Sequence, residues 1–103
     1  MAEIRQILLD IESELKALKL WQEEEIDPQL LRSAEPFCCD TLNFEQWLQF
    51  ILIPKMHALL TQQQPLPKKA LIAPMAEHVW QNQLDKKLLI ELLRSFDASL
   101  SEV

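Results

Sequence analysis

The chain predicts an all-α fold, a single-domain four-helix bundle with a short third helix and a proline-kinked central helix. Three observations over its 103 residues lead there. Glycine is absent, and tight hairpin turns want glycine at positive φ, so an antiparallel sheet lacks its connections. Tyrosine is absent and β-branched runs are scarce. Apolar residues recur at spacings of three and four, the period of a helix with one buried face. With 49% hydrophobic and 25% charged residues, residues 1–103 read as one domain with one modest core.

Helix one is expected over residues 2–22. Ile4, Ile7, Leu8, Ile11, Leu15, Leu18 and Trp21 form its stripe, and Glu12 and Lys16 pair across one turn. Glu23, Glu24 and Glu25 oppose the negative end of the helix dipole and mark its stop. Asp27-Pro28 is an N-cap followed by a first-turn proline, predicting a short turn over 28–32 with Leu30 and Leu31 folding back. Residues 33–42 connect onward, anchored by Phe37. Asn43 with Gln46 makes a capping box, Leu42 staples onto Trp47, and Asp40 and Thr41 offer further capping oxygens. Helix two is expected over 44–62, apolar around most of its circumference. Pro54 falls inside it and predicts a kink, because its ring displaces the carbonyl of Phe50. Pro65 and Pro67 close that helix. Pro74 opens a short third helix over 74–81, and Asp85 caps the fourth over 86–100. Leu88, Leu89, Leu92, Leu93, Phe96 and Leu100 form the fourth stripe, and the last three residues are a loose tail.

The composition excludes several function classes. Without glycine there is neither a P-loop nor a dinucleotide fingerprint. Net charge is −6 and the basic residues are dispersed, so direct nucleic-acid binding is disfavoured and a basic protein partner is favoured. Cys38 and Cys39 are adjacent, cannot staple distant segments, and read as reduced thiols in the cytoplasm. No signal-peptide core or membrane-length apolar run is present.

No catalytic constellation is visible. His57 and His78 each lack a second ligand one turn away, so no metal or cofactor is implied. Asp40, Glu45 and Glu77 are explained by capping and solvation more simply than by acid–base work. Trp21, Trp47 and Trp80 read first as a shared core cluster. The functional reading is a non-catalytic interaction module. Its surface is drawn from Trp47, Phe50, Ile53, Pro54, His57, Glu77 and Trp80, where apolar faces exceed what a small core absorbs. The same patch admits a homodimer. The alternative is a small-molecule pocket opened by the Pro54 kink, with Gln49, His57 and Glu77 converging on it.

The segment from Pro36 to Pro74 resembles the YqcC-like family of small bacterial proteins. The residues that carry this are Pro36-Phe37, Asp40-Thr41-Leu42, the run WLQFILIPKM from Trp47 to Met56, Leu66-Pro67, and Ile72-Ala73-Pro74 with Glu77. The flanking helices match in pattern. The resemblance implies an all-helical bundle without an assigned activity. It also implies an accessory role beside a tRNA pseudouridine synthase, a tRNA-modifying enzyme, as partner.

Overall fold

The structure, a computed structural model, describes residues 2–34, 41–67 and 71–101. The elements in order are α1 (Ala2–Ala17), a 3-10 turn (Pro28–Arg32), α2 (Phe44–Trp47), a π-helical segment (Leu48–Leu52) and α3 (Ile53–Thr61). Then come α4 (Ile72–Val79), a second 3-10 turn (Leu84–Lys86) and α5 (Lys87–Ser101). Helix α2, the π segment and α3 run without a break, so the described residues form four helices and no strand. The Phe37 anchor, the Cys38-Cys39 pair and the Asp40 cap lie outside the described residues, as do Lys68-Lys69.

Helix α1 ends at Ala17, five residues before the sequence pattern suggests. The stop is a Schellman turn built without glycine. Lys19 takes φ 62°, its N–H donates to the Lys16 carbonyl at 3.1 Å, and Leu20 N–H donates to the Leu15 carbonyl at 2.8 Å. Leu18, Leu20 and Trp21 still pack against the core from beyond the helix. Lys16 pairs with Glu12 at 2.9 Å, and its ammonium lies 5.0 Å from the Trp21 ring centroid.

Asp27 caps the first 3-10 turn as its sequence suggests, its carboxylate accepting from Gln29 N–H at 3.0 Å. Leu30 and Leu31 are half-buried there. The Thr41 hydroxyl donates to the Leu30 carbonyl at 2.7 Å, tying this turn to the entry of α2. Asn43 N–H donates to the Gln46 side chain at 2.9 Å, one half of the expected capping box.

Pro54 makes itself felt upstream. Ahead of it the helix widens into the π segment, where Ile53 N–H donates to Leu48 five residues back. A proline in an α-helix has no N–H and drives its ring against the carbonyl four residues earlier. One wider turn relieves both demands, and Pro54 then occupies the first turn of α3. Gln63 at φ 55° closes α3, with Gln64 N–H donating to the Leu59 carbonyl at 2.9 Å.

Helix α4 starts at Ile72, two residues ahead of Pro74, the start that the sequence predicts. Its cap arrives from α5: Asp97 Oδ2 accepts from Ala73 N–H at 2.7 Å. Pro74 sits in the first turn, where an N–H would have no intrahelical partner. Asp85 does not cap the fourth helix. It lies inside the Leu84–Lys86 turn and pairs with Lys86 at 3.0 Å.

Helix α5 packs on α1 and α4, and α3 packs on α1. Ile4, Leu8, Ile11 and Leu15 meet Leu89, Leu93, Phe96 and Leu100 in the centre. The α5 stripe is narrower than the sequence suggests. Residues 89, 93, 96 and 100 define its middle, and Leu88, a hundred degrees round the helix, is 52% exposed.

Candidate functional site

Trp80 is the structural pivot of the surface around α4 and α5. It is 4% exposed and meets the Phe44 ring edge-on at 5.1 Å, while Phe44 stacks on Trp47 at 6.0 Å. The tryptophan cluster therefore forms around Phe44, which joins Trp80 on one side and Trp47 on the other. Two open clefts flank Trp80. One, of about 360 Å³, lies between the end of α4 and the start of α5, with Leu84, Lys87, Ile90 and Glu91 on its walls. The other, of about 300 Å³, lies between Trp80, Phe44, Leu20 and the buried Lys86.

Glu77, on α4, closes one end of the larger cleft through Arg94 of α5. Arg94 Nε donates to Glu77 Oε1 at 2.7 Å and its Nη2 donates to the same oxygen. Both residues are well exposed, so the pair fixes geometry more than it adds stability. Lys86 is buried along its stem, and its ammonium donates to Gln83 Oε1 at 3.2 Å and Asp85 Oδ2 at 3.0 Å. Its charge is thereby matched inside the chain.

The residues proposed from sequence for a surface or pocket are distributed as follows. Ile53 and Trp80 are core residues at 4% exposure each. Trp47, Phe50 and His57 are half-buried, and Pro54 and Glu77 are exposed. Ile53 and Trp80 thus contribute no exposed patch, because the broad apolar face of the central helix is covered by its neighbours. Gln49, buried in the π segment, is committed to Gln22. Its Oε1 accepts from Gln22 N–H at 2.8 Å and its Nε2 donates to the Gln22 carbonyl at 2.6 Å. Glu77 is committed to Arg94. The two clefts have neither Pro54, Gln49 nor His57 in their walls.

What sequence reasoning passed over is Leu84, exposed at 88%, with Leu88 one turn further on. A leucine following Gln81-Asn82-Gln83, outside any helical stripe, was the available signal. Among the described residues no group of three His, Cys, Asp or Glu side chains is placed to hold a metal ion. No described helix is long and apolar enough to cross a membrane.

Charge is unevenly spread. The first 27 residues hold eight acids against three bases, Arg5, Lys16 and Lys19. Glu3, Glu23, Glu24, Glu25 and Asp27 among those acids are exposed. Gln49 holds this segment at Gln22, and Gln46 adds a bond to the Gln22 side chain at 3.1 Å.

The DUF446 family model, described as "tRNA pseudouridine synthase C", matches residues 3–99. The solution NMR structure of protein YqcC from Escherichia coli superposes with a TM-score of 0.88 at 32% identity, covering 98% of this chain and 87% of that one. The chain belongs to the YqcC-like family. The E. coli YqcC sequence is 39% identical over 74 residues, 72% of this chain and 68% of that protein. A Haemophilus influenzae protein is 35% identical over 88 residues, 84% of this chain and 83% of that protein. A Pectobacterium carotovorum protein named tRNA pseudouridine synthase C is 35% identical over 81 residues. That match spans 79% of this chain and only 22% of the longer protein.

Proposed function

We propose that this YqcC-like chain is a non-catalytic accessory module that docks on a tRNA pseudouridine synthase through its acidic N-terminal surface. One observation carries the reading. A segment like this chain is about a fifth of a Pectobacterium protein bearing that enzyme's name, whereas it accounts for most of the E. coli and H. influenzae relatives. A module found inside one chain and as most of another works most simply beside the remainder of the longer one. An enzyme that grips tRNA carries basic surface for the phosphates. Glu3 of α1 and the acids of residues 23–27 face solvent and complement such a surface, which speeds encounter and orients docking.

The test mixes this chain with the purified synthase from the same organism and follows complex formation by sizing at low and at high salt. A complex that weakens with salt, and is lost in a Glu23→Lys, Glu24→Lys, Glu25→Lys variant, supports the module. Absence of any complex at about 100 µM of each protein removes it, since that concentration captures contacts well below the affinity of a working assembly. A small-molecule role has one observation in its favour. The clefts beside Trp80 reach the lower end of ligand-pocket volumes, about 300 Å³. Both are open, however, and lie away from the Pro54 turn.

A further inference from the structure

The corner where α4 meets α5 differs in charge from the acidic first 27 residues. Glu77 pairs with Arg94 and Asp85 with Lys86, leaving Lys87 and Glu91, one charge of each sign, one turn apart on α5. In a chain of net charge −6 this corner is balanced, so it is no attractor for a basic protein. It also has the two features that mutual insertion needs. Leu84 projects at 88% exposure from the lip of the 360 Å³ cleft, so a knob and a hole lie side by side on one patch.

We propose that this corner is a self-association surface and that its occupant is a second copy of the chain, related by a two-fold axis. Each Leu84 enters the other copy's cleft, an isologous exchange that closes at two copies and leaves no open end. The exposed face of α5 continues the contact through Leu88, Glu91, Ser95 and Ala98, at alternating spacings of three and four. That spacing is the one at which a paired-helix seam recurs, with Leu88 and Ala98 its apolar members. Across the axis Lys87 faces the partner's Glu91, and Glu91 faces the partner's Lys87. Copies meeting anywhere on the acidic N-terminal surface would set like charges together, which disfavours that register. The inference is independent of the docking role above, which uses the opposite charge pattern on a different face.

The experiment is sedimentation equilibrium on the full chain from about 10 µM to about 1 mM, a range that captures weak dimers. The mass should rise from monomer to dimer and stop. Leu84→Asp should weaken association at least about tenfold, with circular dichroism and melting unchanged because Leu84 packs on almost nothing. Lys87→Glu and Glu91→Lys should each weaken the dimer, and the double swap should restore it, which a merely structural role would not produce. A monomer at every concentration overturns the inference, as does a dimer indifferent to Leu84→Asp. A double swap no better than either single change overturns the two-fold pairing. A monomeric wild type whose binding to the synthase is lost in Leu84→Asp assigns the corner to that enzyme and overturns self-association.

Discussion

Lys19, Gln63, Leu71 and Asn82 all hold positive φ, between 52° and 65°, in a chain that has no glycine to spend on such positions. Left-handed backbone costs a side-chain-bearing residue about 1–2 kcal/mol. Glycine at Lys19 or Gln63 removes that cost and loses part of the gain to a more flexible unfolded chain. Lys19→Gly and Gln63→Gly should therefore each stabilise the fold by about 0.5–1 kcal/mol, read as a shift in urea midpoint. A fall in midpoint for both would mean the turns are not closed as described. Gln49 illustrates the opposite case. Its amide substitutes for a strand neighbour, satisfying both the N–H and the carbonyl of Gln22. Gln49→Ala leaves those groups without partners and should cost about 1–3 kcal/mol. Hydrogen exchange at the Gln22 amide should quicken with it, and an unchanged rate would remove the clamp. The Gln22–Gln49 bonds cross 27 residues. No local sequence signal announces such a pair, which is why Gln49 reads as a pocket residue when the sequence stands alone.

Helices whose signals are local were legible, and those whose signals come from elsewhere were displaced. The Asp27 cap, the Asn43 entry and the stripes of α1 and α5 follow from side chains within one turn of each other. The sequence pattern runs α1 past its actual end because the terminator is a lysine in a conformation usually marked by glycine. Local signals point to Pro74 as the start of α4, two residues late, because its cap, Asp97, lies 24 residues from Ala73 on α5. Removing it with Asp97→Ala should cost about 1 kcal/mol, in line with other lost helix caps. The loss should concentrate in faster amide exchange at Ala73. The sequence predicts a kink at Pro54, and the structure shows a π-helical turn, Leu48–Leu52, immediately ahead of it. Trp80 belongs to the core at this scale. Trp80→Ala should cost about 3–5 kcal/mol, as other buried large-to-small changes do, and a cost under 1 kcal/mol would place the ring at the surface instead.

At the scale of the whole molecule, the most exposed leucine, Leu84, and the main concentration of acids lie in different places. The core absorbs Ile53 and Trp80, and Leu84, the most exposed of the leucines at 88%, sits with Leu88 beside a charge-balanced corner. The total of −6 was evident from composition, but its concentration in α1 and residues 23–27 becomes a surface only once Gln22 is pinned. That surface is the proposed meeting point with the synthase. The most direct measurement is an amide NMR titration of this chain with the purified enzyme. Docking through the acidic segment predicts perturbation at Glu23, Glu24, Glu25 and Asp27 and along the exposed side of α1, reduced by added salt. A spectrum unchanged at saturating enzyme, or changes confined to α3 and the Pro54 turn, would contradict it.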